Sequence, residues 1–404
     1  MSVKGFKEEN IVAVIGLGYV GLPLAQVMLD NGLIVIGIDS NSKKVHELNN
    51  GISEIIGIDQ IQLQQSIRNR KFIVTADFHL VDQADVVLIC VPTPLGKDLE
   101  PDLQFILNAV ENIGEHLKRD ALIVVESTVA PGTTRNIILP LLKETSKMSV
   151  NDFYVAFSPE RIDPANSYWN VKNTPKLVSG LTPEATSKAL IFYSKFVENI
   201  IECQSVEIAE TAKLLENSFR LINISFMNEL ATFCNKLGIE INEVIKVAST
   251  KPYGFMPFYP SLGVGGHCIP VDPIYLSEKA RELGIATKMI DLANQINKEM
   301  PDYFASRAND MVMGLAGKKV LIIGLSYKPN VADTRETPVE PLIKKLRKHG
   351  AIVSWHDDLV KEWNGEKSVA LSDDYDLAIL ATPHNYLDLT KLGDVPILNT
   401  RGSV

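Results

Sequence analysis

The fold of the first part of the chain is decided by one stretch, Ile11-Val-Ala-Val-Ile-Gly16-Leu-Gly18-Tyr-Val-Gly21. Its β-branched apolar start predicts a buried parallel strand, and a helical pattern follows the glycines as far as Asn31. A second apolar run, over residues 33–38, ends in Asp39. The order of strand, G-x-G-x-x-G turn, helix, strand and acid predicts a dinucleotide-binding unit built on a doubly wound α/β sheet.

Each glycine of this turn has its own task in a dinucleotide site. Gly16 makes the tight turn, Gly18 lets the backbone approach a pyrophosphate, and Gly21 lets helix and strand pack closely. The pyrophosphate then lies at the helix N-terminus, where free N–H groups and the helix dipole favour anions. We therefore assign the whole turn, with Tyr19 and Val20, to the cofactor site.

Asp39 sets the expected choice of cofactor. A carboxylate at this place accepts hydrogen bonds from the adenosine ribose and repels a 2′-phosphate, so NAD is predicted rather than NADP. Lys43 and Lys44 follow closely and weaken that preference, and Lys44 is included among the cofactor-binding residues. The alternative for both lysines is an ordinary solvated start of a helix.

Three further apolar runs, residues 72–75, 86–91 and 122–126, predict strands of the same sheet. Each is followed by a polar or Pro/Gly loop, and open α/β sheets bind ligands at the carboxyl ends of their strands. For a threonine in such a loop, the alternative is a helix cap. The candidates to line the nicotinamide side are Pro92, Thr93, Thr128, Glu160 and Arg161.

A long helix is predicted over residues 205–238, with Ser205 as its N-cap and Gly238 as its stop. Polar residues recur along one face at steps of three and four. Glu210 and Arg220 fit a solvated face equally well. Lys213 and Asn217 lie among hydrophobic neighbours, which suggests an interior element or a subunit interface whose polar groups need partners.

One cysteine has a setting suited to chemistry, in Ser261-Leu-Gly-Val-Gly-Gly-His-Cys268-Ile-Pro-Val-Asp272. Glycines allow close approach to a ligand, and a thiolate is a strong nucleophile, so the segment predicts a nucleophile on a glycine-rich loop. The alternative is a tight turn followed by a small buried hydrophobe. The preceding loop over residues 251–260, rich in aromatics and proline, could contact a sugar or base or act as a rigid connector.

The chain begins a second doubly wound unit near residue 318, with predicted strands at 319–323, 352–355, 377–380 and 395–398 and a helix at 337–349. Its first turn, Gly324-Leu-Ser-Tyr-Lys-Pro, lacks two of the three fingerprint glycines, so we expect no second dinucleotide there. Lys328 and Arg335 suit a nucleotide diphosphate. The predicted domains are residues 1–200 for NAD, 201–314 for a helical region with the cysteine loop, and 315–404 for the second nucleotide.

Composition excludes several classes of protein. The 404 residues carry a net charge of -9, which argues against a nucleic-acid surface, and no apolar run approaches the ~20 residues of a membrane span. We identify no signal peptide. The four cysteines form no Cys-x-x-Cys pair, so neither a zinc site nor a disulfide framework is expected, and a reducing, cytoplasmic setting is favoured.

Taken together, these motifs resemble the UDP-glucose/GDP-mannose dehydrogenase family, whose UDP-sugar 6-dehydrogenases oxidise UDP-sugars to uronic acids. The resemblance covers essentially the whole chain and includes Glu126-Ser-Thr-Val-Ala-Pro-Gly132, Gly265-Gly-His-Cys-Ile-Pro-Val-Asp272 and Asp333-Thr-Arg-Glu336. Phe255-Met-Pro-Phe-Tyr-Pro260 and the histidine before Cys268 resemble the N-acetylhexosamine branch, in particular UDP-N-acetylglucosamine 6-dehydrogenases of bacterial polysaccharide synthesis. Ser261-Leu262 departs from the Gly-Pro that is frequent in that branch.

The resemblance implies a role for each matching residue. Cys268 is the nucleophile, Lys213 and Asn217 stabilise oxyanion charge, and Asp272 orients water with help from Thr128. Glu160 lies beside the nicotinamide and the reacting carbon. Lys328 contacts the UDP-sugar, Arg335 reaches the cofactor, and the long helix is the core of a homodimer. The remaining substrate-binding assignments are Arg161, Tyr259 and Gly265.

The expected reaction is a four-electron oxidation at C6 with two NAD+, through a thiohemiacetal and a thioester on Cys268. UDP-N-acetylglucosamine is the expected substrate; UDP-N-acetylmannosamine, UDP-N-acetylgalactosamine and UDP-glucose are the alternatives. A simple NAD-dependent hydroxy acid dehydrogenase would share the dinucleotide domain and helical dimer core but need no cysteine. A catalytically idle nucleotide-sugar binder would form no NADH.

Overall fold

The structure is a computed structural model that describes residues 10–55, 57–98, 100–163, 166 and 168–402. The chain forms two compact units, one that ends at Leu215 and one that starts at Glu216. The point of division lies inside one long helix, so a single element contributes side chains to both units.

The first unit is built on an eight-stranded sheet in the order β3-β2-β1-β4-β5-β6-β7-β8. Neighbouring strands are parallel except for β6 and β7. The first five strands confirm the predicted runs, whereas β6, β7 and β8 were not predicted. The strands are β1 (Ile11–Ile15), β2 (Ile34–Ile38), β3 (Phe72–Thr75), β4 (Val86–Ile89), β5 (Leu122–Val125), β6 (Tyr154–Phe157), β7 (Lys176–Gly180) and β8 (Ile200–Glu202).

Helices cover both faces of this sheet, and its central strands are buried on both sides. Val12 and Val14 belong to one apolar cluster, and the alternating Ala13 and Ile15 belong to another. This two-sided burial explains why the strands are continuous apolar runs. The helices are α1 (Gly21–Asp30), α2 (Ser42–Asn49), α3 (Gln60–Arg68), α4 (Gln104–Glu115), α5 (Leu139–Ser146), preceded by a π-helical turn at Thr134–Ile138, and α6 (Pro183–Tyr193).

The long helix α7 (Val206–Leu237) confirms the prediction over residues 205–238 within one residue at each end. Gly238 follows it with a φ of 72°, a left-handed conformation that suits glycine at a helix stop. Three more helices follow, none of which was predicted individually, and α10 has 24 residues. They are α8 (Ile241–Ala248), α9 (Asp272–Glu282) and α10 (Lys288–Met311).

The second unit contains a four-stranded parallel sheet in the order β10-β9-β13-β14, so it is a second, smaller doubly wound sheet, as predicted. A short antiparallel hairpin, β11 with β12, lies outside it. The elements are β9 (Lys319–Ile323), α11 (Val339–Lys348), β10 (Ile352–His356), β11 (Glu362–Trp363), β12 (Glu366–Lys367), β13 (Leu377–Leu380) and β14 (Ile397–Asn399).

The cysteines differ in exposure. Cys90 and Cys234 are buried, as expected for core residues, Cys203 is half-buried after β8, and Cys268 is exposed. Across the described residues, no helix combines the length and the apolar character needed to cross a membrane. Within the same residues, no cluster of three or more His, Cys, Asp or Glu side chains could hold a metal ion.

Candidate active site

The turn after β1 has the shape of a pyrophosphate cradle. Gly16 has a φ of 92°, and a Cβ on it would lie 2.8 Å from the carbonyl oxygen of Cys90. A Cβ on Gly21 would lie 1.9 Å from the carbonyl oxygen of Gly16. Gly18 differs, because no atom lies within 4 Å of its Cβ position. The chain itself therefore requires the first and third glycines, while the second leaves room for a ligand.

Asp39 is buried and binds the same turn. Its Oδ2 accepts the N–H of Leu17 at 2.9 Å and the ammonium of Lys44 at 2.8 Å, and its Oδ1 accepts the N–H of Asn41 at 2.9 Å. A carboxylate oxygen has two lone pairs, so Oδ1 retains one for a ribose hydroxyl. Lys44 thus pairs with the acid, whereas Lys43 lies on the surface beside Glu47. These features fit an NAD ribose and pyrophosphate.

The loops after β4 and β5 lie where the strand order reverses, between β1 and β4, which is the ligand crevice of such sheets. Thr93 is buried, Pro92 is exposed and Thr128 is half-buried. Neither threonine caps a helix, because the N-caps of the following helical segments are Leu103 and Thr133. The helix-cap alternative for the two threonines is therefore excluded.

Glu210 has a structural role at the same edge. It is fully buried, and its two oxygens accept the N–H groups of Gly132 at 2.6 Å and Thr134 at 3.0 Å. Burial raises the pKa of Glu210, against the opposing effect of these hydrogen bonds. The carboxylate therefore fixes the loop that carries Thr128, and a solvated position for Glu210 is excluded.

Lys213 lies one turn further along α7 and is buried. Within the part of the chain that the structure describes, its ammonium group makes no hydrogen bond or ion pair. A buried cation without a partner is costly, so this lysine is suited to receive negative charge from a ligand. Asn217, on the same helix, belongs to the second unit.

The second unit presents Cys268 at the start of α9. The Cys268 side chain is exposed, and its carbonyl oxygen accepts the N–H of Asp272 at 2.8 Å in the turn that opens the helix. Asp272 is buried, and its Oδ2 accepts the amide of Asn217 at 2.5 Å. The structure thus brings three predicted catalytic residues into one local arrangement, and the alternative of a buried hydrophobe at position 268 is excluded.

The glycines before Cys268 pack against the loop after β9. A Cβ on Gly265 would lie 2.6 Å from the carbonyl oxygen of Glu336, and one on Gly266 would lie 2.8 Å from the ring of Tyr327. Gly266 also donates its N–H to the carbonyl of Arg335 at 3.0 Å. Close packing within the chain therefore accounts for glycine at both positions, and it links the cysteine loop to the predicted UDP site.

The loop after β9 carries Lys328 and Arg335. Lys328 lies with its ammonium 5.9 Å from the ring centre of Tyr327. The guanidinium of Arg335 is held by both oxygens of Asp333, at 2.6 to 3.1 Å. Asp333 therefore fixes the orientation of one of the two cations predicted for phosphate.

Asp357 ends β10 as Asp39 ends β2, but its environment differs. It is fully buried and accepts the N–H groups of Leu325 at 2.8 Å and Leu359 at 2.9 Å, and Nε2 of His384 lies 3.1 Å away. Burial alone would raise the pKa of Asp357, but the bonds from His384, Leu325 and Leu359 outweigh it and hold the pKa well below its usual range. Asp357 is thus bonded on both oxygens by groups of the protein itself.

Three family descriptions match successive parts of the chain. They are the NAD binding domain of the UDP-glucose/GDP-mannose dehydrogenase family over residues 10–197, its central domain over 207–299 and its UDP binding domain over 321–399. The chain belongs to the UDP-glucose/GDP-mannose dehydrogenase family. It is an NAD-dependent UDP-sugar dehydrogenase, an oxidoreductase that acts on a CH–OH group, and it binds NAD in the first unit.

The alignments with similar proteins extend over nearly the whole chain. A UDP-N-acetyl-D-glucosamine 6-dehydrogenase of Pseudomonas aeruginosa is 35% identical over 93% of this chain and 90% of its own. A UDP-N-acetyl-D-mannosamine dehydrogenase of Methanococcus maripaludis is 35% identical over 88% of this chain and 82% of its own. The solved structure of a UDP-D-ManNAc dehydrogenase from Pyrococcus horikoshii superposes with a TM-score of 0.89 at 30% identity, over 97% and 95% of the two chains.

Sequence reasoning missed a buried cluster of charge in the dehydrogenase. Lys176, the first residue of β7, donates to Glu126 at 2.7 Å, and Tyr193 donates to the other oxygen of Glu126. Glu160 lies beside them, with Oε2 at 4.0 Å from the lysine ammonium. No motif marks Lys176, because its position depends on the antiparallel course of β7.

Proposed function

We propose that this dehydrogenase oxidises C6 of UDP-N-acetylglucosamine to the carboxylate with two NAD+, through covalent intermediates on Cys268, for surface polysaccharide synthesis. The observation that carries the proposal is the exposed Cys268 at the start of α9, one turn from the bonded pair Asn217 and Asp272. A simple alcohol dehydrogenase has no need of a nucleophile in this place. The 35% identity to the Pseudomonas enzyme supports the choice of sugar.

Cys268 supplies the covalent steps. Two molecules of NAD+, held in turn by the glycine turn after β1 and by Asp39, would each accept one hydride in this oxidation. The thiolate adds to the C6 aldehyde to give a thiohemiacetal, and oxidation of that adduct gives a thioester that water hydrolyses.

Lys213 and Asn217 are proposed to stabilise the oxyanion that forms at C6. The buried ammonium of Lys213 is free of protein partners among the described residues, and the amide of Asn217 is oriented by Asp272 and keeps one N–H. Removal of one donor from such an oxyanion site typically costs on the order of 10²–10³ in rate. Asp272 is proposed to direct the water that cleaves the thioester, with Thr128 holding it.

The remaining proposed contacts divide between cofactor and sugar nucleotide. Glu160 is assigned to the reacting carbon, and Lys328 to the UDP-sugar. Arg335, with its guanidinium fixed by Asp333, is assigned to the cofactor. The substrate assignments also include Arg161, Tyr259 and Gly265, of which Tyr259 is exposed and Gly265 is buried against Tyr327.

A homodimer formed through α7 is part of the proposal. Leu215, Phe219, Phe226, Phe233 and Leu237 recur at steps of four and seven along this helix, and each exposes between 46% and 60% of its surface. Such a long apolar stripe is costly in water and marks an interaction surface. The free thiols favour a reducing compartment, so we place the enzyme in the cytoplasm.

The test is the number of NADH formed per UDP-sugar at completion. UDP-N-acetylglucosamine, UDP-N-acetylmannosamine, UDP-N-acetylgalactosamine and UDP-glucose are compared, with wild type, Cys268→Ala and the control Cys203→Ala. Two NADH per sugar in wild type and in Cys203→Ala, but not in Cys268→Ala, is the expected result. Cys203 is a suitable control because its half-buried thiol lies in the first unit, away from the cysteine loop in sequence.

Each other outcome selects another function. One NADH per sugar, or an unaffected Cys268→Ala variant, would refute the thioester route and favour a single-step dehydrogenase. Binding of UDP-sugar without any NADH would favour an idle nucleotide-sugar binder. A preference for a sugar other than UDP-N-acetylglucosamine would replace the proposed substrate.

A further inference from the structure

The course of β7 brings a lysine to the catalytic edge of the first sheet. β7 runs antiparallel to β6, with Ala156 opposite Gly180 and Phe157 opposite Ser179. When this register is continued past the end of β6, Lys176 lies opposite Glu160. The first residue of β7 therefore lies beside the carboxyl ends of β5 and β6, where a parallel strand would instead place its last residue.

The ammonium group of Lys176 lies between two carboxylates. It donates to Oε2 of Glu126 at 2.7 Å and lies 4.0 Å from Oε2 of Glu160, and the carbonyl oxygen of Pro159 is 3.5 Å away. The side chain of Glu126 is completely buried, that of Lys176 is 7% exposed and that of Glu160 is 14% exposed. Solvent therefore screens these interactions weakly.

Both carboxylates are also held from their other sides. Oε1 of Glu160 accepts the N–H groups of Arg161 at 2.7 Å and Ile162 at 2.6 Å, and Oε1 of Glu126 accepts the hydroxyl of Tyr193. Each carboxylate thus has one oxygen fixed by neutral donors and the other directed at Lys176. The lysine is the component common to both arrangements.

The other titratable groups around Glu160 are Cys90, Tyr193 and Arg161. Burial raises the pKa values of Cys90 and Tyr193, so both are neutral. The guanidinium of Arg161 donates to the carbonyl of Pro175 at 2.6 Å. Burial lowers the pKa of Lys176, but the Glu126 and Glu160 carboxylates outweigh it and raise the pKa overall, so the lysine stays charged.

We propose that Lys176 is a positioning residue for the redox reaction, which holds the Glu160 carboxylate in place while Glu126 anchors the ammonium group. The inference rests on the proposed role of Glu160 beside the reacting carbon. Lys176 touches neither sugar nor cofactor in this assignment, so it acts on kcat through Glu160 and leaves substrate affinity nearly unchanged. The competing explanation is that Lys176 only neutralises the buried Glu126.

Four proteins separate the two explanations: wild type, Lys176→Met, Glu126→Gln and the double variant. Loss of the ammonium group releases Oε2 of Glu160 from this contact, and a misplacement of about 1 Å can cost on the order of 10² in rate. In Lys176→Met we expect kcat to fall by on the order of 10–10², with KM within about twofold. NAD+ affinity, measured by calorimetry without any sugar, should also stay within about twofold.

The double variant decides between the explanations. In the double variant, position 126 carries a neutral amide, so the loss of the lysine leaves no unpaired buried carboxylate there. Its melting temperature should therefore be higher than that of Lys176→Met, even if that single variant folds poorly. Positioning of Glu160 predicts that kcat stays low in the double variant and is within about twofold of wild type in Glu126→Gln. Recovery of both the melting temperature and kcat in the double variant would overturn the proposal.

One further result bears on the inference, and the choice of substrate keeps the test independent of the proposed route. A loss of NAD+ affinity of tenfold or more in the double variant would show that Lys176 maintains the cofactor site, and would overturn the role in positioning Glu160. The kinetics use the first NADH formed with whichever UDP-sugar wild type oxidises. The comparison of the variants can therefore still be interpreted if the Cys268 route or the proposed sugar proves wrong.

Discussion

Gly18 and Gly21 lie three residues apart in the same turn, but they meet different requirements. Gly21→Ala would push a Cβ to within 1.9 Å of a carbonyl oxygen, whereas Gly18→Ala meets nothing within 4 Å. We expect Gly21→Ala to prevent folding or lower stability severely. We expect Gly18→Ala to fold with a stability within about 1 kcal/mol of wild type but to bind NAD+ at least about tenfold more weakly, because its methyl group occupies the pyrophosphate cradle.

Urea unfolding and calorimetric titration with NAD+ measure the two effects separately. Gly32→Ala is a suitable control for backbone effects, because its Cβ position is also open and it lies beyond the end of α1. Because Gly32 has a φ of 83°, we expect Gly32→Ala to lose some stability but to keep the wild-type affinity for NAD+. Equal NAD+ affinity in Gly18→Ala and wild type would contradict the assignment of the cradle.

Individual residues were predictable where a motif fixes their surroundings. The contacts of Gly21 and Asp39 follow from the fingerprint, because the strand, turn and helix that create them are adjacent in the chain. Glu210 and Lys176 were not predictable, because their partners are 76 and 50 residues away in sequence. Spacing along one helix or strand cannot indicate whether its polar face meets solvent or a buried N–H group.

At the scale of elements, the junction between the loop after β5 and α5 depends on one carboxylate of α7. Glu210→Ala would leave the N–H groups of Gly132 and Thr134 buried without acceptors. Each such loss costs about 1–3 kcal/mol, so we expect the free energy of unfolding to fall by about 2–6 kcal/mol. Urea denaturation of the two variants Glu210→Ala and Glu207→Ala provides the measurement.

Glu207 is the matched control for this helix. It lies one turn earlier on α7 and pairs with Arg135 on the surface, where ion pairs contribute about 0–1 kcal/mol. The pair also lowers the pKa of Glu207, through the hydrogen bond from Arg135, so its contribution should fade as acid protonates the carboxylate. Similar losses in the two variants at neutral pH would refute the buried capping role of Glu210.

Strands and helices were predictable where the pattern of burial is uniform along the chain. The strands β1, β2, β4, β5 and β9 are continuous apolar runs because both of their faces are buried. β8 exposes two of its three residues, and β7 opens on a buried lysine, so neither has a distinctive pattern. Pro301 inside α10 interrupts the helical pattern, although the helix continues through it.

At the scale of the whole molecule, the chain uses one sheet architecture twice with different turns. Gly16 and Gly324 both adopt positive φ after the first strand of their sheets, at 92° and 84°. The second turn then continues with Ser326, which is buried and donates to Asp357 at 3.1 Å, where the first has the open Gly18. The same architecture therefore offers a dinucleotide cradle in one unit and a filled turn in the other.

The stripe of exposed apolar residues on α7 leads to the final prediction, which concerns assembly. In a symmetric dimer each residue of the stripe is buried in both copies, so one substitution acts twice. Burial of a phenylalanine contributes about 1.5–3 kcal/mol, and Phe226→Glu should therefore weaken association by on the order of 10²–10⁴ in Kd. Light scattering after size exclusion should give twice the chain mass of 44.6 kDa for wild type and a single chain for Phe226→Glu.

Phe105→Glu on α4 controls for the change in charge, because Phe105 is 49% exposed and Phe226 is 56% exposed. The control should keep the wild-type mass. The melting temperature of each unit should change less in Phe226→Glu than in a variant of a core residue. The side chain of Phe226 is exposed, so its replacement leaves no cavity within the chain. A wild-type mass of one chain, or a Phe226→Glu variant that keeps the wild-type mass, would refute α7 as the dimer interface and leave its stripe to a different partner.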